Sequence, residues 1–186
     1  MSNYTRPKIP GASVFFTVAL ADRGADTLVD HVAVLRAAVA VTKAERPFHI
    51  DAWVVLPDHM HCVWTLPEGD SDYSGRMAAI KARFTAGLRR SGFRPTLVQQ
   101  NGYGARGGRV RVAAGGVGLK PDLQGGVRRG NDAPIWQKRF WEHHIRDAEA
   151  FAACVRYCWI NPVKHGLVGE PGAWAWSSWH RDGGGL

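Results

Sequence analysis

From Val14 to Leu20 every residue except Thr17 is apolar, with β-branched and aromatic side chains prominent. This predicts a first β-strand, ended by Asp22-Arg23-Gly24. Asp26 or Thr27 can cap a helix running to about Arg46, with Leu28, Val32, Leu35 and Val39 on one face and Pro47 as its stop. Phe48 to Leu56 alternates, setting Phe48, Ile50, Ala52 and Val54 against His49, Asp51, Trp53 and Val55, and predicts strand two. A short turn at Pro57-Asp58 leads into strand three, His59 to Leu66. Asp72 or Ser74 starts a second helix with Met77, Ile80, Phe84 and Leu88 as its apolar stripe.

Periodicity then lapses. The stretch at about 92–133 holds half of the chain's 22 glycines and several arginines, and is expected to be a flexible insertion with a short strand near Val110 to Val112. Order resumes at Ile135 to Ile145, whose second half predicts strand four, and Asp147 caps a last helix expected to stop at Ile160, because Asn161 precedes a proline. The aromatic tail, Trp174 to His180, is expected to pack back on the core. The order β-α-β-β-α-β plus a helix predicts an α+β, ferredoxin-like split βαβ fold: one domain over 1–186, a four-stranded antiparallel sheet with helices on one face, and a C-terminal helix. Strands one and three are central in that topology.

With 186 residues, 45% hydrophobic content and 8 Trp, the chain can bury a core and is not a disordered polyelectrolyte. Its net charge of +8 favours a polyanion, nucleic acid first and an anionic membrane surface second, although a merely basic soluble protein fits the charge too. The three cysteines, Cys62, Cys154 and Cys158, form no CxxC pair, and Met1 to Pro10 lacks an apolar signal core, so a reducing cytoplasm is expected. No apolar run approaches the ~20 residues of a membrane helix, so no membrane association is expected.

The chemistry centres on His59-Met60-His61. Residues two apart on a strand share a face, so both imidazoles point together, as two ligands of one metal must, or as solvent-facing alternation also produces. Two histidines make an incomplete site. Magnesium or manganese also takes oxygen ligands, and Asn161 can supply one; Cys62 points to the other strand face from His61, away from any zinc set. On the last helix Phe151, Cys154, Val155 and Cys158 form the core stripe, and Tyr157 lies beside it with Asn161 one turn beyond. A phenol there is a candidate nucleophile toward a metal-polarised phosphate; a boundary tyrosine that packs its ring and wets its hydroxyl fits the same position. Lys81, Arg83, Arg139, Arg146 and Lys164 can line a DNA groove or simply be solvated, and Trp53, Trp136 and Trp141 can stack bases or fill the core.

Three blocks carry a specific likeness: Phe48 through Asp70 with its Leu56-Pro57-Asp58-His59-Met60-His61 centre, Ile135-Trp136-Gln137-Lys138-Arg139-Phe140-Trp141-Glu142-His143, and Tyr157-Cys158-Trp159-Ile160-Asn161-Pro162-Val163-Lys164-His165-Gly166-Leu167. Phe15-Phe16-Thr17-Val18 and Trp176 to Arg181 fit as well. In this order they resemble the REP-associated tyrosine transposases, single-tyrosine members of the HUH endonuclease superfamily. The resemblance implies that His59, His61 and Asn161 are metal ligands, and that Tyr157 is the nucleophile. It would attack single-stranded DNA at hairpin-forming repeats, leaving a 5′-phosphotyrosine link and a free 3′-hydroxyl. It implies a divalent metal, Mg2+ or Mn2+, single-stranded or hairpin DNA as partner, and a monomer or homodimer. The chain departs from the family in a thin basic N-terminal arm, reduced to Arg6 and Lys8, and in the long insertion, whose Arg106, Arg109, Arg111, Arg128 and Arg129 can track phosphates or sit in a solvated loop. The alternatives are a non-catalytic single-stranded nucleic-acid-binding module and a metal hydrolase using bound water.

Overall fold

The apolar run near the N-terminus forms β1 (Ser13–Ala19), the strand on which the rest of the sheet is assembled. A computed structural model describes residues 6–93 and 133–183. The expected insertion at about 92–133, with its arginines and its short strand, falls almost wholly outside the described residues. β1 pairs antiparallel with β3 (His59–Thr65) on one side and with β4 (Trp141–His144) on the other. β2 (His49–Val55) pairs with the far edge of β3, so the four strands lie in the order β2-β3-β1-β4 with β1 and β3 central. This is the antiparallel ferredoxin-like arrangement that the element order predicts.

Alternation sorts the strand residues onto two packed faces. Val14, Phe16, Val18, Met60, Cys62 and Trp64 point to the side covered by α2 (Val32–Glu45) and α3 (Tyr73–Arg90), where they meet Leu35, Met77, Ile80, Phe84 and Leu88. Phe15, Val63, Ala52, Val54 and Leu56 point to the opposite side and pack on Val155, Cys158 and Trp159 of α4 (Ala148–Lys164). β3 is buried along almost its whole length, as a central strand covered on both faces must be. α3 starts at Asp72, whose side chain accepts from the Gly75 N–H. It ends where Gly92, at φ +81°, lets the Phe93 N–H turn back to the Leu88 carbonyl.

Three expectations are corrected. The alternation of β2 changes phase at Asp51, where the β2–β3 register shifts. Phe48 faces α2 and α3 but Ala52 and Val54 face α4, so these are not one side of the strand; a bulge rotates the chain by one residue. The first helix is two pieces. α1 (Thr27–Asp30) is anchored by the Leu28 N–H bonding the Pro57 carbonyl in the β2–β3 turn, and α2 restarts after His31. The last helix does not stop before Pro162: α4 runs on to Lys164. The ring deletes only the donor that the Cys158 carbonyl would have accepted, and burial of Asn161 and Pro162 holds the helical path.

The tail packs back as expected. It runs along the outer edge of β2, with the Val55 N–H bonding the Trp176 carbonyl and the Ser178 N–H bonding the Trp53 carbonyl. Among the described residues no helix is long and apolar enough to cross a membrane.

Candidate active site

His59 and His61 stand on β3 with their rings on the α4 side, 5.0 Å apart between centroids. Both are buried, at 6% and 3% exposure. Each ring has its Nδ1 occupied. His59 Nδ1 lies 2.6 Å from the Asp58 carboxylate, whose other oxygen pairs with Arg23 at 3.1 Å. A carboxylate only accepts, so His59 Nδ1 is the donor in this pair and Nε2 is the nitrogen left to face a ligand. His61 Nδ1 lies 2.9 Å from the Thr17 hydroxyl on the neighbouring strand, its register partner. Among the described residues neither Nε2 has a hydrogen-bond partner. Such outer contacts orient imidazoles that bind metal.

Tyr157 lies on α4 beside the second of these rings. Its ring meets His61 edge-on at 5.2 Å and Phe15 at 5.7 Å, and Phe15 in turn stacks on His61. Lys164 Nζ lies 4.5 Å from the Tyr157 ring centroid. Asn161 follows one turn later because the helix continues through Pro162. Its side chain is buried and its Oδ1 accepts no hydrogen bond. An orphaned buried carbonyl oxygen is costly in a folded protein unless something absent from the protein itself satisfies it. Two imidazole Nε2 atoms and one carboxamide oxygen suit a divalent cation that accepts mixed nitrogen and oxygen ligands and leaves room for phosphate oxygens. Among the described residues no cluster of three His, Cys, Asp or Glu could hold a metal ion, so any such site here needs the Asn161 oxygen as well as the two imidazoles.

The electrostatics agree with those roles. Burial first, then the like charges of His59, His165 and Arg23, lowers the His61 pKa to about 3, so the ring is neutral and able to ligate near neutral pH. Burial raises the Tyr157 phenol above its ordinary value, against a smaller opposite pull from the Asn161 side chain. The protein alone therefore does not supply a phenolate at neutral pH.

The expected basic residues divide. Lys164 is at the site, and Arg139 and Arg146 are exposed at either end of β4. Lys81 and Arg83 belong to the α3 side of the molecule. Lys81 donates to the Gln137 carbonyl at 2.8 Å, and Arg83 ties α3 to Thr42 and Glu45 of α2. Three contributors stand in the blocks that carry the family likeness, but nothing in the sequence gives them a role at the site. Thr17 is found only through strand register and Phe15 only through packing. His165, just past α4, stands 5.0 Å from His59 because the helix is longer than expected. Asp58 had a local signal, its place immediately before His59.

No family model matches the chain. A REP-associated tyrosine transposase of Escherichia coli K12 is 40% identical over 182 residues, covering 98% of this chain and 85% of the relative. The chain belongs to the REP-associated tyrosine transposases. A putative member from Haemophilus influenzae is 36% identical over 98% of this chain and 88% of the relative. A solved structure of a REP-associated tyrosine transposase bound to a REP hairpin matches with a TM-score of 0.72 and 38% identity, over 98% of this chain and 85% of that one. The family resemblance and the fold expected from sequence both hold, and the likeness of this transposase to its relatives runs almost the whole length of the chain.

Proposed function

We propose that this transposase cleaves and rejoins single-stranded DNA at hairpin-forming repeats, with Tyr157 as nucleophile and His59, His61 and Asn161 holding Mg2+ or Mn2+. The observation that carries the reading is the buried, unpartnered Asn161 Oδ1 one helical turn from Tyr157, on the side of the sheet that presents two free imidazole nitrogens. The cation, when bound, supplies charge to polarise the scissile phosphate and stabilise the developing negative oxygen.

The chain's own residues do the rest. Asp58 and Thr17 hold the two rings in the ligating orientation. Phe15 packs against both His61 and Tyr157 and so backs the phenol ring where it meets His61. In the cleavage step the phenol oxygen forms a bond to phosphorus as the bond to the 3′ oxygen breaks. The phenol proton leaves and the 3′ oxygen gains one, so a 5′-phosphotyrosine and a 3′-hydroxyl result. The link conserves the phosphodiester's energy, and rejoining runs the same step backward without a nucleotide cofactor.

A REP hairpin with single-stranded flanks, incubated with the protein and Mg2+ or Mn2+, tests this. A 3′-labelled strand should give a denaturation-resistant labelled adduct, and a 5′-labelled strand should give a shortened free product. Both should vanish in Tyr157→Phe and in chelator. Tight hairpin binding that ignores chelator, with no adduct, would leave a non-catalytic binding module.

A further inference from the structure

The tryptophans that can stack on bases separate by face of the sheet. Trp53 and Trp136 lie on the α2–α3 side, and Trp136 is buried with its indole N–H on the Lys81 carbonyl. Trp141 lies on the other side. The register pairs it with Thr17, and pairs His143 with Phe15. Opposed residues of an antiparallel pair share a face, and Thr17 and Phe15 are the residues that touch His61. Trp141 and His143 therefore flank the candidate active site along β4, the last strand in the sheet order.

Their geometry is that of a platform. The two rings are parallel to within 7° at 5.9 Å, and both side chains are only half-buried. Phe15 meets Trp141 edge-on at 5.8 Å and Tyr157 edge-on at 5.7 Å, so a single ring separates the platform from the phenol. Among the described residues the Trp141 indole N–H and the His143 ring make no hydrogen bond. Exposed arginines bracket the strand, Arg139 before it and Arg146 after it, with Lys164 over Tyr157. Aromatic faces with cations at both ends match a single strand of DNA, whose bases stack while its phosphates are neutralised.

We propose that Trp141 and His143 form a stacking shelf for a nucleobase beside the phosphodiester that Tyr157 attacks. The shelf orients the single-stranded segment, so Trp141 and His143 are substrate-binding residues that take no part in bond making. The proposal rests on the functional reading above, but its test reads binding alone. The shelf is tolerant of base identity, since every base offers a flat face.

The test measures binding of a fluorescein-labelled REP hairpin with single-stranded flanks. Probes carry one abasic site at each flank position in turn. At one or two positions next to the cleavage site, the abasic probe should bind the unaltered protein about tenfold more weakly, within the usual range for stacking on an aromatic ring. Trp141→Ala and His143→Ala should weaken the intact probe by a similar factor, and in both variants the same abasic site should cost almost nothing more. Trp141→Phe should keep most of the affinity. His143 is the safeguard should Trp141→Ala not fold, because its ring covers less of the core. Unchanged affinity in His143→Ala and Trp141→Ala, or abasic penalties that persist undiminished in them, would overturn the shelf. Adduct formation is scored separately. Binding with the expected coupling but no adduct would sink the catalytic reading and leave the shelf standing. No binding of the probe by the unaltered protein would sink both.

Discussion

The two histidines are alike in sequence and differ in how they are held. His59 is oriented by a carboxylate and His61 by a hydroxyl, and only the first contact carries charge. Asp58→Asn keeps the shape but removes the group that fixes the His59 proton on Nδ1. The expected result is about tenfold or greater loss of Mn2+ affinity, read by paramagnetic resonance of the free ion. His61 makes a separate prediction through its lowered pKa of about 3. The folded state refuses a proton that the unfolded chain accepts at its ordinary value near 6.5. Stability from this ring is therefore complete above about pH 6.5 and is lost as pH falls toward 3, at a slope of up to about 1.4 kcal/mol per pH unit. His61→Gln should show a shallower fall over that window in urea unfolding without metal, and equal slopes would contradict the assignment. At this scale the site was half legible. His59, His61, Tyr157 and Asn161 could be read from spacing and resemblance. Thr17 and Phe15 could not, because they reach His61 only through pairing between strands forty-odd residues apart in the chain.

Elements are set by their contacts as much as by their own residues, and α2 against α3 shows this. A Cβ on Gly87 would stand 2.4 Å from Val34 Cγ1, so the two helices approach through the glycine. Gly87→Ala gains about 1 kcal/mol of helix propensity but forces a valine whose rotamer is stiff in a helix. Overpacking of this kind costs typically 1–3 kcal/mol, so a net loss in denaturant unfolding is expected. Adding Val34→Ala should recover part of it, and a stable single variant would show that the helices can separate freely. The misreadings at this scale share one cause. Alternation in β2 looked continuous because nothing near Asp51 marks a bulge; the shift exists only relative to β3. The break at His31 follows from an anchor on the β2–β3 turn. Pro162 is a stop signal on local grounds, but α4 is held by burial across the sheet, and Asn161 owes its place beside Tyr157 to that. The α3 stripe, by contrast, was fully legible: Met77, Ile80, Phe84 and Leu88 are all buried, since a long amphipathic helix carries its own register.

Across the whole molecule α4 is tied to the sheet edge by the tail, and one hydroxyl is the knot. Ser178 Oγ accepts from the Trp53 backbone N–H of β2 at 3.0 Å and from the Trp159 indole N–H of α4 at 3.1 Å. Trp159 also packs edge-on against Trp179, so the tail grips α4 by ring as well as by hydroxyl. The Ser178 N–H meanwhile bonds the Trp53 carbonyl and Trp174 bonds the Val55 carbonyl, which closes an edge otherwise open to another chain. Ser178→Ala leaves both donors without their acceptor, at a cost of about 1–3 kcal/mol if water cannot reach them. The effect should not stay local, since Tyr157 and Asn161 ride on the same helix as Trp159. Hydrogen exchange should quicken along α4 while the α3 amides, across the sheet, keep their protection. Mn2+ affinity should drop together with the exchange protection of α4. Uniform acceleration in both helices would show that the tail supports global stability only, and that the sheet alone holds the helix bearing Tyr157 in place.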